Sequence, residues 1–382
     1  MMEGVLWGIL IPYCALLLWI IQAYRHNRRL SNDLAMEALP LDETDSVSVV
    51  VAMRNESSNI ETLLDCLARQ TLSPRYWELC LVDDHSTDGS KAIAENWARR
   101  HPGLSVKVLT LPASMHGKKA AITYGIQHSR HPFICCTDAD CRPSARWLEL
   151  MTKHRKKNKL AFIGGLVRLH PANRLVERLQ SLEMIALTGT GATLLQRRIP
   201  GMCNGANLAF EQAAFWQVGG YEGNEHIPTG DDEFLLQKIA RLPGKPVGFL
   251  SHPEAVVYTH PCHDWHSWIE QRKRWISKWK YHQSGMHKLL GAYIGLLYLS
   301  WLAATAALIL NGYGIVHFAA QCAVKFSFEF VFLYALSKPH RQAVRLLDVL
   351  LLFLVYPFYA AYFVWVGSRT SSYTWKDRRV KV

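Results

Sequence analysis

Two aspartates one residue apart, Asp138 and Asp140, follow an apolar run that begins at Pro132 and includes Phe133, Ile134, Cys135 and Cys136. A strand of that composition ends at the carboxyl edge of a sheet, where open α/β sheets bind ligands. Two hard carboxylate oxygens at this spacing suit Mg2+ or Mn2+, ions that keep few protein ligands and take their remaining oxygens from phosphate and water. The chemistry implied is the holding of a nucleotide diphosphate. Downstream, Asp231, Asp232 and Glu233 stand at the head of a predicted helix that continues through Leu235 and Ile239. There they either cap the helix or stay ionised to take a proton from an attacking hydroxyl. A third group, Gln271, Arg274 and Trp275, offers donors to a departing diphosphate and an apolar plate to a sugar ring. The same stretch, with Trp265, Trp268 and Trp279 nearby, also reads as a basic interfacial amphipathic helix. The two readings are compatible.

Elements that would position these groups alternate along the chain. Ser46 to Met53 is a β-branched run; Asn59 to Gln70 carries apolar residues at helical spacing; Trp77 to Val82 is a buried strand running into Asp83-Asp84. Val106 to Leu111 reads as a strand, Lys118 to Gln127 as a helix, and Phe133 to Thr137 as the strand bearing the aspartate pair. Strands separated by crossover helices predict an α/β fold with a mainly parallel sheet, and unbroken apolar runs fit strands covered on both faces.

Membrane segments account for the composition. The 382 residues are 49% hydrophobic and 19% charged, and the apolar excess sits at the ends. Gly4 to Ala23, Leu289 to Leu310 and Val349 to Gly367 carry no charge and approach the length that crosses a bilayer; Ile315 to Leu336 is a fourth candidate despite Lys325 and Glu329. These two lie four apart on one helical face, as a mutually paired couple or a contact to a headgroup or substrate. The first segment reads as a retained anchor, because no positive region precedes it and Arg25, Arg28 and Arg29 follow. That puts the next domain in the cytoplasm. The net charge of +12 collects beside the membrane segments, at Arg272 to Lys280, Lys338 to Arg345 and Lys376 to Lys381. This pattern suits an anionic leaflet and gives no reason to expect nucleic acid. Three crossings after a cytoplasmic domain would leave the basic tail outside, so Pro357 is a candidate break that returns it. Arg174 to Arg198 has amphipathic character and is expected to lie on the membrane beneath the catalytic domain.

The boundaries expected are an anchor at 1–28, a linker at 29–46, a catalytic domain at 47–286, a membrane region of two or three crossings at 287–367 and a basic tail at 368–382. Nine cysteines show no paired framework, and Cys135, Cys136 and Cys141 read as small buried hydrophobes. His260, Cys262, His263 and His266 have histidine and cysteine side chains but lack a second Cys-x-x-Cys for zinc.

Val47 to Val51 leading to Arg54-Asn55-Glu56, then Val82-Asp83-Asp84, Gly117-Lys118-Lys119, Thr137 to Asp140, Asn204-Gly205-Ala206-Asn207, Gly230-Asp231-Asp232 and Gln271-x-x-Arg274-Trp275 occur in the order seen in membrane-integrated family 2 glycosyltransferases. Over about 47–280 the chain resembles that family, cellulose and hyaluronan synthases and ceramide glucosyltransferases among its members. The resemblance implies a GT-A fold and inverting transfer from a nucleotide sugar, here a UDP-sugar, to a polysaccharide or glycolipid acceptor at a plasma or inner membrane. It also implies roles. Asp84 with Asp83 would meet base and ribose, with Glu56 and Lys118 in the same nucleotide site; Asp138 and Asp140 would hold metal and diphosphate. Asp232, or its neighbour Asp231, would be the base. Gln271 and Arg274 would contact diphosphate, with Trp275 and Asn204 toward the acceptor. Processive and single-addition enzymes share the signature, so both stay open, as does oligomeric state. Two other readings are a diguanylate cyclase, from the one-residue difference between Gly-Asp-Asp-Glu-Phe and Gly-Gly-Asp-Glu-Phe, and a non-catalytic nucleotide-binding membrane protein. The cyclase signature needs its second glycine in a tight hairpin turn, whereas the acids here open a predicted helix.

Overall fold

The computed structural model describes residues 2–225, 227, 229–277, 281, 285–310, 313–367, 372–375 and 378–381. Lys278, Trp279, Lys280, Lys376 and Asp377, which the sequence reading included in its basic and aromatic clusters, lie outside the described residues.

A long helix, α1 (Met2–Met36), opens the chain. It continues eight residues past the expected end of the anchor, so the first part of the expected linker is helical. Next come β1 (Val47–Met53), α2 (Ile60–Ala68), β2 (Trp77–Asp83), α3 (Ser90–Arg100), β3 (Val106–Thr110), α4 (Lys118–Gln127) and β4 (Phe133–Cys136). A second run holds β5 (Arg142–Pro143), α5 (Trp147–Asn158), β6 (Phe162–Gly165), β7 (Val167–Leu169) and α6 (Leu175–Gln196). It is followed by β8 (Leu208–Glu211), α7 (Gln212–Gln217), α8 (Asp231–Ile239), β9 (Val247–Leu250), β10 (Val257–Thr259) and α9 (Trp265–Ser277). The chain closes with α10 (Gly285–Ile309), α11 (Ile315–His340), α12 (Leu346–Gly367), β11 (Ser372–Trp375) and β12 (Arg378–Lys381).

The main sheet has the order β3-β2-β1-β4-β8-β6-β9. Its first four strands are parallel, and helices cover both faces, which is why Val47, Val49, Val50 and Val51 are fully buried. All carboxyl ends of β1, β2 and β4 therefore share one edge. β8 enters antiparallel between β4 and β6, with Cys136 opposite Leu208. The reversal matters for the site. It brings the segment just before β8, Asn204 to Asn207, to the same edge as the segment just after β4, Thr137 to Asp140, and Thr137 Oγ1 donates to the Ala206 carbonyl at 2.8 Å.

Four helices among the described residues are long and apolar enough to cross a membrane: Gly4–Met36, Lys288–Ile309, Ile315–His340 and Leu346–Phe363. Large apolar side chains on α10 to α12, such as Leu299, Leu354, Phe358 and Trp365, are exposed, as expected for helices whose outer faces meet lipid. α12 runs through Pro357 without interruption, so that proline is no break in the helix. The stretch expected to lie on the membrane surface, α6, is instead inside the protein. It is buried along its length, with β7 and β9 on one side and α1, α11 and α12 on the other. Its mixed polar and apolar pattern reflects two protein neighbours rather than water and lipid. The couple on α11 is paired: Lys325 Nζ is 2.7 Å from Glu329 Oε1, which also accepts from Tyr13 at 2.8 Å.

Candidate active site

Three backbone ends build the floor of the site. β1 is followed by Arg54, whose Nη1 donates to the Asp84 carbonyl at 2.6 Å and the His85 carbonyl at 3.2 Å, so the ends of β1 and β2 are clamped together. Asn55 and His85 both take positive φ, 51° and 57°, a conformation non-glycine residues adopt rarely and mainly where function or a tight turn requires it. The turn at Asn55 is held by Ser86 Oγ, which accepts from the Asn55 amide at 3.0 Å, and by Asn55 Oδ1, which accepts from the Thr87 amide at 2.9 Å. Glu56 is buried beside it and accepts from Asn59 Nδ2 at 2.8 Å.

Asp83 and Asp84 diverge. The Asp83 carboxylate turns back onto its own loop, accepting from the Ser86 amide at 3.3 Å, while Asp84 Oδ2 accepts from the Gly117 amide at 3.1 Å and faces the cavity. Gly117 then opens α4, and the next residue, Lys118, carries the central interaction. Its ammonium sits 2.7 Å from Asp138 Oδ1 and 2.9 Å from Asp231 Oδ2. One cation thus joins α4, the end of β4 and the start of α8. Burial alone would push the Lys118 ammonium down, but Asp138 and Asp231 reverse this and hold it well above its ordinary value. Burial would raise Asp231, and Lys118 overrides that to hold it below the usual carboxylate range. Lys119 points away and donates to the carbonyls of Asn224 and Ile227, both at 2.7 Å; burial pushes its ammonium down to about 8. It fixes the loop that leads to Gly230.

Gly230 adopts φ 79° as the residue that starts α8, so Asp231 and Asp232 open a helix rather than a hairpin turn. Asp232 Oδ2 accepts from the Gly205 amide at 3.0 Å. A Cβ on Gly205 would lie 3.0 Å from Lys118 Nζ and 3.2 Å from Asp231 Oδ2, so a side chain here would press on the ends of both. Asn204 Oδ1 accepts from the Ala206 amide at 3.0 Å, and Asn207 braces the segment through the Leu166 and Ala255 carbonyls.

Asp138, Asp140 and Cys141 bring possible ligand atoms within 4.8 Å of one another. Burial raises the Cys141 thiol well above its ordinary value, so it stays protonated, and its Sγ donates toward Asp140 Oδ1 at 3.7 Å. The donor set left is two carboxylates, which fits a hard divalent cation. His260 lies 3.2 Å from Arg142 and His263 3.2 Å from Glu177, so each has a protein partner of its own.

Glu56, Asp84, Lys118, Asp138, Asp140, Asn204, Asp231, Asp232, Gln271, Arg274 and Trp275 line one cavity of about 1170 Å³; Asp83 does not. Three more of its lining residues escaped the sequence reading. Glu183, in the middle of α6, is buried and accepts from Arg272 Nε at 2.9 Å and from Tyr359 at 2.9 Å. The Arg272 guanidinium also stacks on Trp275 at 4.0 Å. The available signal was an acid inside an apolar helical stretch, Leu182-Glu183-Met184-Ile185, which demands a buried cation.

Comparison with known proteins agrees with this geometry. Residues 48–219 match the family model described as Glycosyl transferase family 2. Over those residues the chain is similar to family 2 glycosyltransferases. Mannosyltransferase PcManGT from Pyrobaculum calidifontis, solved in complex with GDP-Man and Mn2+, shares the fold with a TM-score of 0.51 and 18% identity, over 96% of this chain and 98% of that one. Glycosyltransferase AglE of Haloferax volcanii is 30% identical over 121 residues, 32% of this chain and 39% of that protein. Dodecaprenyl-phosphate galacturonate synthase of Rhizobium johnstonii is 30% identical over 120 residues, 31% of this chain and 35% of that protein. The chain spans about a third to two-fifths of the length of such curated relatives. The α/β sheet is of the GT-A type that the sequence resemblance implies.

Proposed function

We propose that this protein transfers a sugar, with inversion, from a UDP-sugar to a hydroxyl of a membrane-associated acceptor, a polysaccharide or glycolipid, at the cytoplasmic face of a plasma or inner membrane. The observation that carries the reading is the single cavity lined by Asp84, Lys118, Asp138, Asp140, Asp231, Asp232 and Arg274 on one side and by membrane helices on the other. Asp84 and Glu56 face the place a nucleoside would occupy at the sheet edge. Mg2+ or Mn2+ held by Asp138 and Asp140 would supply positive charge to the diphosphate. Gln271 and Arg274, on α9, donate to the same diphosphate, and Trp275 presents its ring beside them.

Of the two acids at the head of α8, Asp231 is neutralised by Lys118, while Asp232 is oriented by the Gly205 amide. Asp232, which the family resemblance points to, is assigned as the base. The acceptor oxygen attacks the anomeric carbon as its proton passes to the Asp232 carboxylate; the bond from that carbon to the phosphate oxygen breaks, and the electron pair leaves on UDP. Release of UDP from a panel of UDP-sugars by the detergent-purified protein with Mn2+ tests this. Asp232→Asn should lower transfer by about 10³-fold while UDP binding persists. Activity near that of the unmodified protein in Asp232→Asn, or full activity in EDTA, would overturn the assigned roles.

A further inference from the structure

The site cavity does not stop at the catalytic cleft. The same cavity that touches Asp232 continues between α1, α10, α11 and α12, where Leu17, Leu296, Phe332, Leu333, Leu352 and Phe363 line it. The passage between the two parts is marked by Glu183, Arg272 and Tyr359, a bonded set that ties α6 and α12 to α9, the helix bearing Gln271 and Arg274. We propose that the acceptor is a neutral lipid alcohol whose hydrocarbon chain occupies this intramembrane arm while its headgroup hydroxyl reaches Asp232. The proposal rests on the glycosyl-transfer reading above and narrows its acceptor.

Three observations favour this occupant. First, the walls of the arm, which include Tyr13, Tyr298, Tyr356 and Glu329, are mainly apolar side chains; they match a hydrocarbon chain better than a growing polysaccharide, whose hydroxyls need hydrogen-bonding partners all along its path. Second, the ion pair of Lys325 with Glu329 beside the arm is satisfied by the protein. Lys325 lies 2.7 Å from Glu329 and is surrounded by the rings of Tyr298, Trp301 and Phe353 at 4.4 to 5.5 Å, and Tyr13 donates to Glu329. Third, the attacking end of the acceptor must approach Asp138, Asp140, Asp231 and Asp232. A lipid phosphate would need no base and would bring its own negative charge beside Asp231 and Asp232, so a neutral hydroxyl is favoured.

The arm can be narrowed without breaking the fold. Gly295 lines it from α10, and a Cβ there would meet no atom within 4 Å. Gly295→Leu and Gly295→Trp, in the full chain in detergent, should lower the ratio of kcat/KM for a long-chain diacylglycerol or ceramide to that for its short-chain analogue. The expected fall is about tenfold for Trp and smaller for Leu, the range set by overpacking of a filled cavity. Native mass spectrometry should find a neutral lipid bound to the unmodified protein and less of it bound to Gly295→Trp, a readout that needs no turnover. An unchanged ratio, preferential transfer to a polyprenyl phosphate, or successive additions to a water-soluble oligosaccharide would overturn the proposal. Failure of the unmodified protein to release UDP from any UDP-sugar, with lipid nevertheless bound, would overturn the transfer reading and this acceptor assignment together; lipid-independent UDP release would leave transfer standing and overturn only the lipid.

Discussion

Two lysines, Lys325 and Lys118, meet carboxylates in this molecule in opposite ways. Lys325 pairs with Glu329 one helical turn along on α11, walled in by aromatic rings. Both charges come from the same short segment, so folding of that helix alone brings them together, and the pair neutralises itself where an isolated charge would be costly. Lys118 instead joins Asp138 and Asp231, residues 20 and 113 positions away along the chain, in a cavity open to ligand. No local propensity produces that contact. It exists because β4 ends and α8 begins at the same sheet edge, and it holds in register the acids that would bind metal and those beside the proposed base. A local pair stabilises its own helix; a three-element pair organises a site.

Substitutions that separate the two cases have different readouts. Lys118→Met should reduce sugar transfer by about 10² to 10³-fold, the scale of losing one preorganised electrostatic contact, because Asp138 and Asp231 then repel each other across the cleft. The assay is UDP release with saturating donor, and activity within a few-fold of the unmodified protein would erase the distinction drawn here. Glu329→Gln should act on stability instead, leaving Lys325 unpaired at a cost of about 3 kcal/mol in thermal unfolding in detergent. The double variant Lys325→Met with Glu329→Gln should recover most of that loss, since removing both charges leaves nothing uncompensated. A double variant as unstable as the single one would mean that the pair does more than neutralise itself.

The same contrast explains what the sequence could and could not convey. β1, β2 and the strand before Asp138 were legible because parallel strands buried on both faces are unbroken apolar runs, and α4 was legible to the residue, Lys118–Gln127. Each acid that follows such a strand could be placed at the sheet edge from sequence alone. β8 was not legible: four residues long and antiparallel, it offers too short a pattern, yet it is what seats Asn204 to Asn207 beside Asp138. α6 was misassigned for a related reason, because a helix between two protein layers shows the same mixed pattern as one between water and lipid. Of the pairs, Lys325 with Glu329 was visible from spacing, whereas Lys118 with Asp231 and Arg272 with Glu183 depend on tertiary folding.

A third buried carboxylate sharpens the comparison from the far side of the sheet. Glu78, fully buried near the start of β2, accepts from Ser48 at 2.8 Å and from Arg130 Nε at 2.8 Å, and Lys107 stands at 3.0 Å. Burial alone would raise its pKa; the Arg130 amide, Ser48 and Lys107 outweigh this and bring it down to about 2. The folded value lies below the unfolded one, so the stabilisation is complete above the unfolded carboxylate range near pH 4.5 and is lost as pH falls from there toward 2. Allowing for the exposure of Arg130 and Lys107, it amounts to about 2 kcal/mol. Urea unfolding of the unmodified protein and of Glu78→Gln at pH 7 and pH 3.5 should show the difference between them shrinking at the lower pH. A constant difference would exclude Glu78 as its source.

The smallest expected effect falls on Gly205, where the comparison is tested by geometry instead of charge. The backbone there is not in a left-handed conformation, so alanine costs little in folding, and the new Cβ would press on the ends of two flexible side chains, Lys118 Nζ at 3.0 Å and Asp231 Oδ2 at 3.2 Å. Those ends can shift by a few tenths of an ångström, which spares stability but moves the charges away from the positions the reaction needs. Gly205→Ala should therefore lower transfer by about tenfold with a thermal midpoint unchanged within about 2 °C. A loss of stability with activity per folded molecule preserved would reverse the assignment, making the Lys118 cluster a structural pair of the same kind as Lys325 with Glu329.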